Sequence, residues 1–276
     1  MNWKAHLSLQ YRRDGERTIS HDRHEGPLRV LQSLYPEGPG ICHHVIVHPP
    51  GGVVGGDRLE LEATLGPGSH ALITTPGATR FYRSAGATAV QSARLRLDDG
   101  ARLEWLPMEA IAYRGCEVEN RMRFELAPGA EMIGWDLLAL GLPASGEPFD
   151  RGRFLQQIEL PGVWLERGRV DATDTRLLDS PLGWAGRRVL ATLWFAAGAA
   201  VPAPRVAAML DSARAAIDGS PLRADAGASA PQDRVLVLRV LAARVEPAMQ
   251  LLASVRAAWR RAAWGLDAQT PRIWST

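Results

Sequence analysis

Cysteine is nearly absent from this 276-residue chain: only Cys42 and Cys116 occur, and they form no Cys-x-x-Cys pair. A disulfide framework and a paired-cysteine zinc site are excluded, and a reducing cytoplasm is the simplest setting. Long basic runs are missing too. The formal net charge is +2 with both signs mixed along the chain, and no basic motif interleaved with aromatics occurs, which argues against a nucleic-acid partner. The longest apolar run, residues 189–204, is broken by Pro202 and Pro204 before the roughly 20 residues of a membrane span are reached. It reads as a buried strand over 188–196, then a turn and a helix, so no membrane partner is expected. The opening residues Met1-Asn2-Trp3-Lys4-Ala5-His6 carry no apolar leader core. Catalytic signatures are lacking as well. There is no H-E-x-x-H, and Ser84 has Tyr82, not glycine, two residues before it, so no G-x-S-x-G elbow forms.

What the chain does have is 46% hydrophobic residues, enough for a substantial core. Between about residues 55 and 170 a pattern recurs of short strand, glycine turn and second strand. The turns are centred on Gly68, Gly100, Gly129 and Gly162, and their separations of 32, 29 and 33 residues lie in the range of stacked repeats. Flanking runs such as Arg94-Leu95-Arg96-Leu97 and Arg123-Phe124-Glu125-Leu126 alternate as half-buried strands do. Helices come late. An alanine-rich helix is predicted over 204–219, a strand over 233–243, and a second helix over 246–265. The second helix sets Leu252, Val255, Trp259 and Ala263 on one core-facing stripe with Arg256 and Arg260 beside it. The fold class expected is mainly β: a β-helix-like stack of short strands and hairpin units with about two C-terminal α-helices packed on it. A single domain, 1–276, would comprise a repeat-like body over about 55–170 and an α/β part over about 187–276.

All seven histidines lie within the first 70 residues, and Cys42-His43-His44 with His48 is their densest group. On a strand Cys42, His44 and His48 share a face and His43 points away, but His44 and His48 stand roughly 13 Å apart at about 3.3 Å per residue. They cannot hold one ion. Among the acids, Asp136 sits in the apolar run Ile133-Gly134-Trp135-Asp136-Leu137-Leu138, so it requires a partner, a water-filled cavity or a proton. Asp57 and Glu166 pose the same question, with Arg58 and Arg167 as adjacent partners.

The most unusual segment is His-Pro-Pro-Gly-Gly-Val-Val-Gly-Gly-Asp over residues 48–57. Two prolines fix φ and four glycines permit close backbone approach, so neither a helix nor a regular strand fits. Gly51 and Gly56 have the spacing of a phosphate loop, but Asp57-Arg58 replaces its Lys-Ser/Thr, and glycines at 51, 52, 55 and 56 do not match a dinucleotide fingerprint. The segment resembles the HPPGGxxGGD signature of the urease accessory proteins called UreD or UreH. Residues 71–84, with Thr75-Pro76-Gly77-Ala78 and Tyr82-Arg83-Ser84, are similar to the family's TxPGAxKxYRS block. Leu103-Glu104-Trp105-Leu106-Pro107 with Glu109 resembles LEWLPQE, with Met108 where glutamine is usual, and Trp135-Asp136-Leu137-Leu138 and residues 271–276 complete the series.

The resemblance implies a β-helix-like fold and a non-enzymatic role. The expected role is that of a scaffold which binds urease apoprotein and a UreF-like accessory protein, and through the latter a UreG-like GTPase, for insertion of nickel. It admits a homodimer of the chain within that complex, and it implies transient Ni2+ in an internal passage with no permanently bound cofactor. Carried over by position, Asp57, Ser84, Asp136 and Glu166 would border the passage, with His48 as a further candidate. Separated single carboxylates suit transit, since a closed cage would trap the ion. The implied scaffold would leave apolar partner surfaces open, with Trp184, Trp194, Trp259 and Trp264 as candidates. A metal-dependent hydrolase using Asp57, His48 and Asp136, and a small-ligand-binding β-repeat protein, are the alternatives.

Overall fold

The computed structural model describes residues 3–275. The chain alternates between two sheets as it advances. One sheet contains, in chain order, β1 (Lys4–Asp14), β2 (Arg17–Glu25), β5 (Arg58–Leu65), β8 (Ala89–Leu97), β11 (Glu117–Leu126), β13 (Arg153–Leu160) and β14 (Trp164–Asp171). Its spatial order is β14-β13-β11-β8-β5-β1-β2. The other contains β3 (Arg29–Val30), β4 (Ile41–Val47), β6 (His70–Thr74), β9 (Arg102–Leu106), β12 (Glu131–Leu140), β15 (Val189–Ala197), β16 (Ala226–Gln232) and β17 (Val235–Ala242), ordered β16-β17-β15-β12-β9-β6-β4-β3. The short β7 (Thr79–Phe81) and β10 (Ala110–Ala112) extend it beside β12.

Successive turns of the stack pair in parallel, β5 with β8 and β8 with β11 on one side, β6 with β9 and β9 with β12 on the other. The expected β-helix-like stack is therefore what the chain forms. The periodic glycine turns serve it in two ways. Those at Gly68, Gly100 and Gly129 carry the chain from one sheet to the other, so the strands they join face each other across the core. Only the turn at Gly162 closes a hydrogen-bonded hairpin, β13 with β14. Gly68, Gly100 and Gly162 adopt positive φ, the backbone conformation that makes glycine the recurrent residue there.

Alternation decides what each face buries. In β5 every second residue, Leu59, Leu61, Ala63 and Leu65, points into the space between the sheets, and the intervening Arg58, Glu60 and Glu62 face solvent. The second sheet is covered on both faces. Its outer side, with Leu72, Leu106, Ile133 and Trp135, packs against α2 (Ala203–Asp218) and α3 (Val245–Trp264). The stripe Leu252, Val255 and Trp259 is fully buried there, as the spacing predicts. A short α1 (Thr175–Asp179), which the sequence reading did not anticipate, is capped by the Asp174 side chain accepting from the Leu177 amide. Trp274 donates to the Thr74 hydroxyl at 2.8 Å and so pins the terminal motif, whose Thr276 lies outside the described residues. Among the described residues no helix is long and apolar enough to cross a membrane.

The tryptophans expected to lie open are not. Trp194 and Trp259 are fully enclosed, and Trp184 and Trp264 keep under a tenth of their surface. Each fills one of the two cores, where a large flat side chain buries the most apolar area. The exposed large apolar side chains are instead Trp3, Leu31, Leu34, Val54, Leu165 and Leu182.

Candidate functional site

A cavity of about 310 Å³ lies between the sheets. Its walls are mainly apolar, with Leu59, Leu61, Ile73, Trp105 and Met122 among them, and the loop residues 51–53 and 75–80 border it. Two ionisable side chains of the candidate set reach it, Asp136 and His48.

Asp136 projects inward from β12, on the opposite face of that strand from Trp135. No arginine pairs with it: it borders the enclosed space, and burial there favours its protonated form. Burial pushes its carboxyl up to about 7, the neighbouring Gln156 amide pulls it part of the way back, and the Glu166 carboxylate adds to the rise. Gln156 is close enough to favour the charged form but not aligned for a hydrogen bond, since its Nε2 has no partner.

His48 stands at the start of the glycine loop, and its buried Nε2 is also without a partner. Burial lowers its pKa, and the Asp57 carboxylate opposes that shift. Cys42 and His44 point into the core from β4 as the alternation predicts. Tyr11 and Ser33 occupy the two His44 ring nitrogens at 2.7 and 3.0 Å, and burial brings the ring down to about 4. His43, on the other face, meets Glu37 at 2.8 Å. Among the described residues no three His, Cys, Asp or Glu side chains converge as a metal cage would require.

The remaining candidates do not line the cavity. Asp57 is buried, but both carboxylate oxygens serve the backbone, accepting from the amides of Trp3 at 2.8 Å and Val54 at 3.0 Å. It ties the glycine loop to β1, and Arg58 is not its partner. Ser84 donates to the Ala87 carbonyl at 2.5 Å and accepts from the Gly86 amide at 3.0 Å, which makes it a turn residue. The glycines of the 48–57 loop explain its neighbourhood: a Cβ on Gly52 would overlap the Tyr82 ring, and one on Gly55 would overlap the Ser84 hydroxyl and the Ala87 carbonyl. The two motifs are thus one packed unit. Glu166 lies on the edge strand β14 and is paired with Arg239 of β17, not with Arg167. A hydrolase built on Asp57, His48 and Asp136 would lack a free carboxylate at Asp57.

The sequence reading missed the polar residues near Asp136. Gln91 and Asn120 line the cavity, and Gln156 stands next to Asn120, the three side by side on β8, β11 and β13. Gln91 donates to Asn120 at 3.4 Å and Asn120 to Gln156 at 3.0 Å. The signal was present in the alternation: each amide takes an inward position between apolar neighbours, as Asn120 does between Val118 and Met122.

A second unanticipated group lies on the other side of the second sheet. Glu104 of β9 is fully buried against Arg256 and Arg260 of α3. Arg256 Nε donates to one carboxylate oxygen at 2.7 Å, while the other is reached by Arg260 Nε at 3.1 Å and His70 at 3.5 Å as ion contacts, not as aligned hydrogen bonds. Arg260 also holds Glu37 at 2.6 Å, which joins His43 to the network. This group docks the helix.

Comparison with known proteins agrees with the motifs. The family model described as UreD urease accessory protein matches residues 4–275. Proteins named urease accessory protein UreD are similar over the full length of both chains: 66% identical in Leptothrix cholodnii, 60% in Verminephrobacter eiseniae and 59% in Paracidovorax citrulli. With the model spanning nearly every residue and the identity this high, the chain belongs to the UreD family of urease accessory proteins.

Proposed function

We propose that this urease maturation factor is a non-catalytic scaffold in the cytoplasm which lets nickel cross its interior as transient cargo. In this reading it joins urease apoprotein to a UreF-like accessory protein and, through that protein, to a UreG-like GTPase that drives insertion. It holds no cofactor of its own. The observation that carries the reading is the cavity with Asp136 in its wall: a single carboxylate, with no arginine paired to it, in an enclosure whose walls are mainly apolar. Such a group attracts a divalent ion that keeps most of its water, and the unpartnered His48 Nε2 supplies a second weak attraction. Neither makes a trap. Asp57 and Ser84 contribute by shaping the loop unit that borders the cavity.

The test is Asp136→Asn, which keeps size and removes charge. With the urease subunits and accessory proteins co-expressed, the variant should assemble normally and deliver less nickel, read as nickel per urease by elemental analysis beside complex yield and Tm. Wild-type nickel content in a well-folded variant would sink the reading.

A further inference from the structure

The cavity has the dimensions of a small-molecule pocket. At about 310 Å³ it stands at the lower end of the range for such sites and has roughly twice the volume that accepts a buried benzene ring. It opens between the two glycine-bearing loops. Gly51, Pro76 and Gly77 belong both to its wall and to the exposed surface, and a Cβ on Gly77 would meet nothing within 4 Å. Inside, Leu61, Ala93 and Met122 stand side by side on β5, β8 and β11, all three in the wall, so a small side chain separates two long ones.

Charge in this wall is sparse and unevenly placed. Among the described residues that form it, Asp136 is the only acid, and Arg80, exposed on the loop at the mouth, is the only arginine or lysine. Burial favours the neutral ring of His48. Its Nε2 and the Trp105 Nε1 are buried without a partner, whereas buried polar atoms of a completed site are nearly always paired. A bare metal ion makes no use of the apolar wall. An organic cation does, because apolar area removed from water contributes about 25 cal/mol per Å². An ammonium group brought to Asp136 displaces the proton that burial favours, and the resulting pair is neutral overall. An anion would meet an unscreened carboxylate, and a second ammonium would find no second acid.

We propose that the cavity is a binding site for a small organic monoamine, with its ammonium group on the Asp136 carboxylate and a hydrocarbon body of one or two rings against Leu61, Met122 and Trp105. The inference stands on the shape and charge of the wall and does not require that nickel crosses it. Where nickel does cross, amine and ion share Asp136, and the bound amine excludes the cargo.

The probes are 2-phenylethylamine and its neutral counterpart 2-phenylethanol, titrated into the full chain near neutral pH and followed by ligand-observed NMR and calorimetry. The amine should saturate a single site and bind at least about tenfold more tightly than the alcohol. Asp136→Asn should bring the amine to the affinity of the alcohol without lowering Tm. Ala93→Leu, which enters the space between Leu61 and Met122, should abolish binding of both probes. Equal affinities for the two probes, or an amine affinity that Asp136→Asn leaves unchanged, would overturn the role given to the carboxylate. No saturable binding of the amine, or wild-type binding by Ala93→Leu, would overturn the site itself. Should Ala93→Leu lower Tm, the Asp136→Asn titration decides alone. These titrations contain no nickel, so the passage reading stands or falls separately, on nickel per urease.

Discussion

Glu104 and Asp136 stand on neighbouring strands of the same sheet, both shielded from bulk water, and burial has left them in opposite states. Glu104 faces the helices. Burial pushes its carboxyl up, but Arg256, His70 and Arg260 together outweigh that and bring it down to about 2. Asp136 faces the cavity, where burial meets no cation and leaves it near 7. The difference is a matter of partners, not of depth. Where an acid is surrounded by guanidinium groups it is a structural bolt. Where it is enclosed without one, burial favours the proton, and a cation that enters competes with that proton for the carboxylate.

Removing the bolt should give the largest effect. Glu104→Gln leaves Arg256 and Arg260 buried with no anion between them, and a loss of about 3–5 kcal/mol is expected in urea unfolding at neutral pH. The Glu104 contribution is present above its unfolded value of 4.5 and is lost as pH falls toward its folded value of about 2, so the variant should lack that acid-sensitive part. A wild-type midpoint would mean that apolar packing alone docks α3.

Asp136→Asn should act with the opposite sign. Its folded carboxyl is raised above the unfolded value of 3.8, so the wild type loses stability as pH rises from about 4 to about 7 and is level beyond. The variant should be more stable at pH 8 by up to about 4 kcal/mol, less whatever cavity water returns to the charge, and equal to wild type near pH 3. Urea midpoints of both proteins across pH 3–9 check this. A difference independent of pH would break the contrast with Glu104.

Asp57→Ala should give the smallest of the three, about 1–3 kcal/mol, because it removes two hydrogen bonds to backbone amides near the surface. Hydrogen exchange should quicken at Trp3 and Val54 before the rest of the molecule. Unchanged exchange at those amides would remove Asp57 from its tethering role.

Much of the fold was legible in the chain. The spacing of Gly68, Gly100, Gly129 and Gly162 marks the repeat because each turn needs a similar backbone at a similar length of strand. The stripe on α3 was legible because a helix against a sheet buries every third or fourth residue. Asp136 was conspicuous for its apolar neighbours. Glu104 was not, although Leu103-Glu104-Trp105-Leu106 surrounds it as tightly. Alternation reads as one wet face and one dry face, and it fails on a sheet covered on both sides. For the same reason Arg256 and Arg260, placed beside the core-facing stripe of their helix, gave no sign that they are buried against Glu104.

Asp57 and Glu166 show a different limit. Their adjacent arginines, Arg58 and Arg167, were the obvious partners in sequence, yet neighbours on a strand point to opposite faces, and the real partners are the Trp3 and Val54 amides and Arg239.

By itself the sequence determined the class of fold, the periodic glycine turns, some of the strands and the two long helices, which rest on local spacing and backbone freedom that a linear chain displays. Resemblance of its motif blocks gave the family. Only the tertiary structure decided which polar residues meet. Gln91, Asn120 and Gln156 are 29 and 36 residues apart and become neighbours through strand register. Whether a buried acid ends beside two arginines or beside an empty space depends on which sheet face it occupies and on what the fold lays over that face.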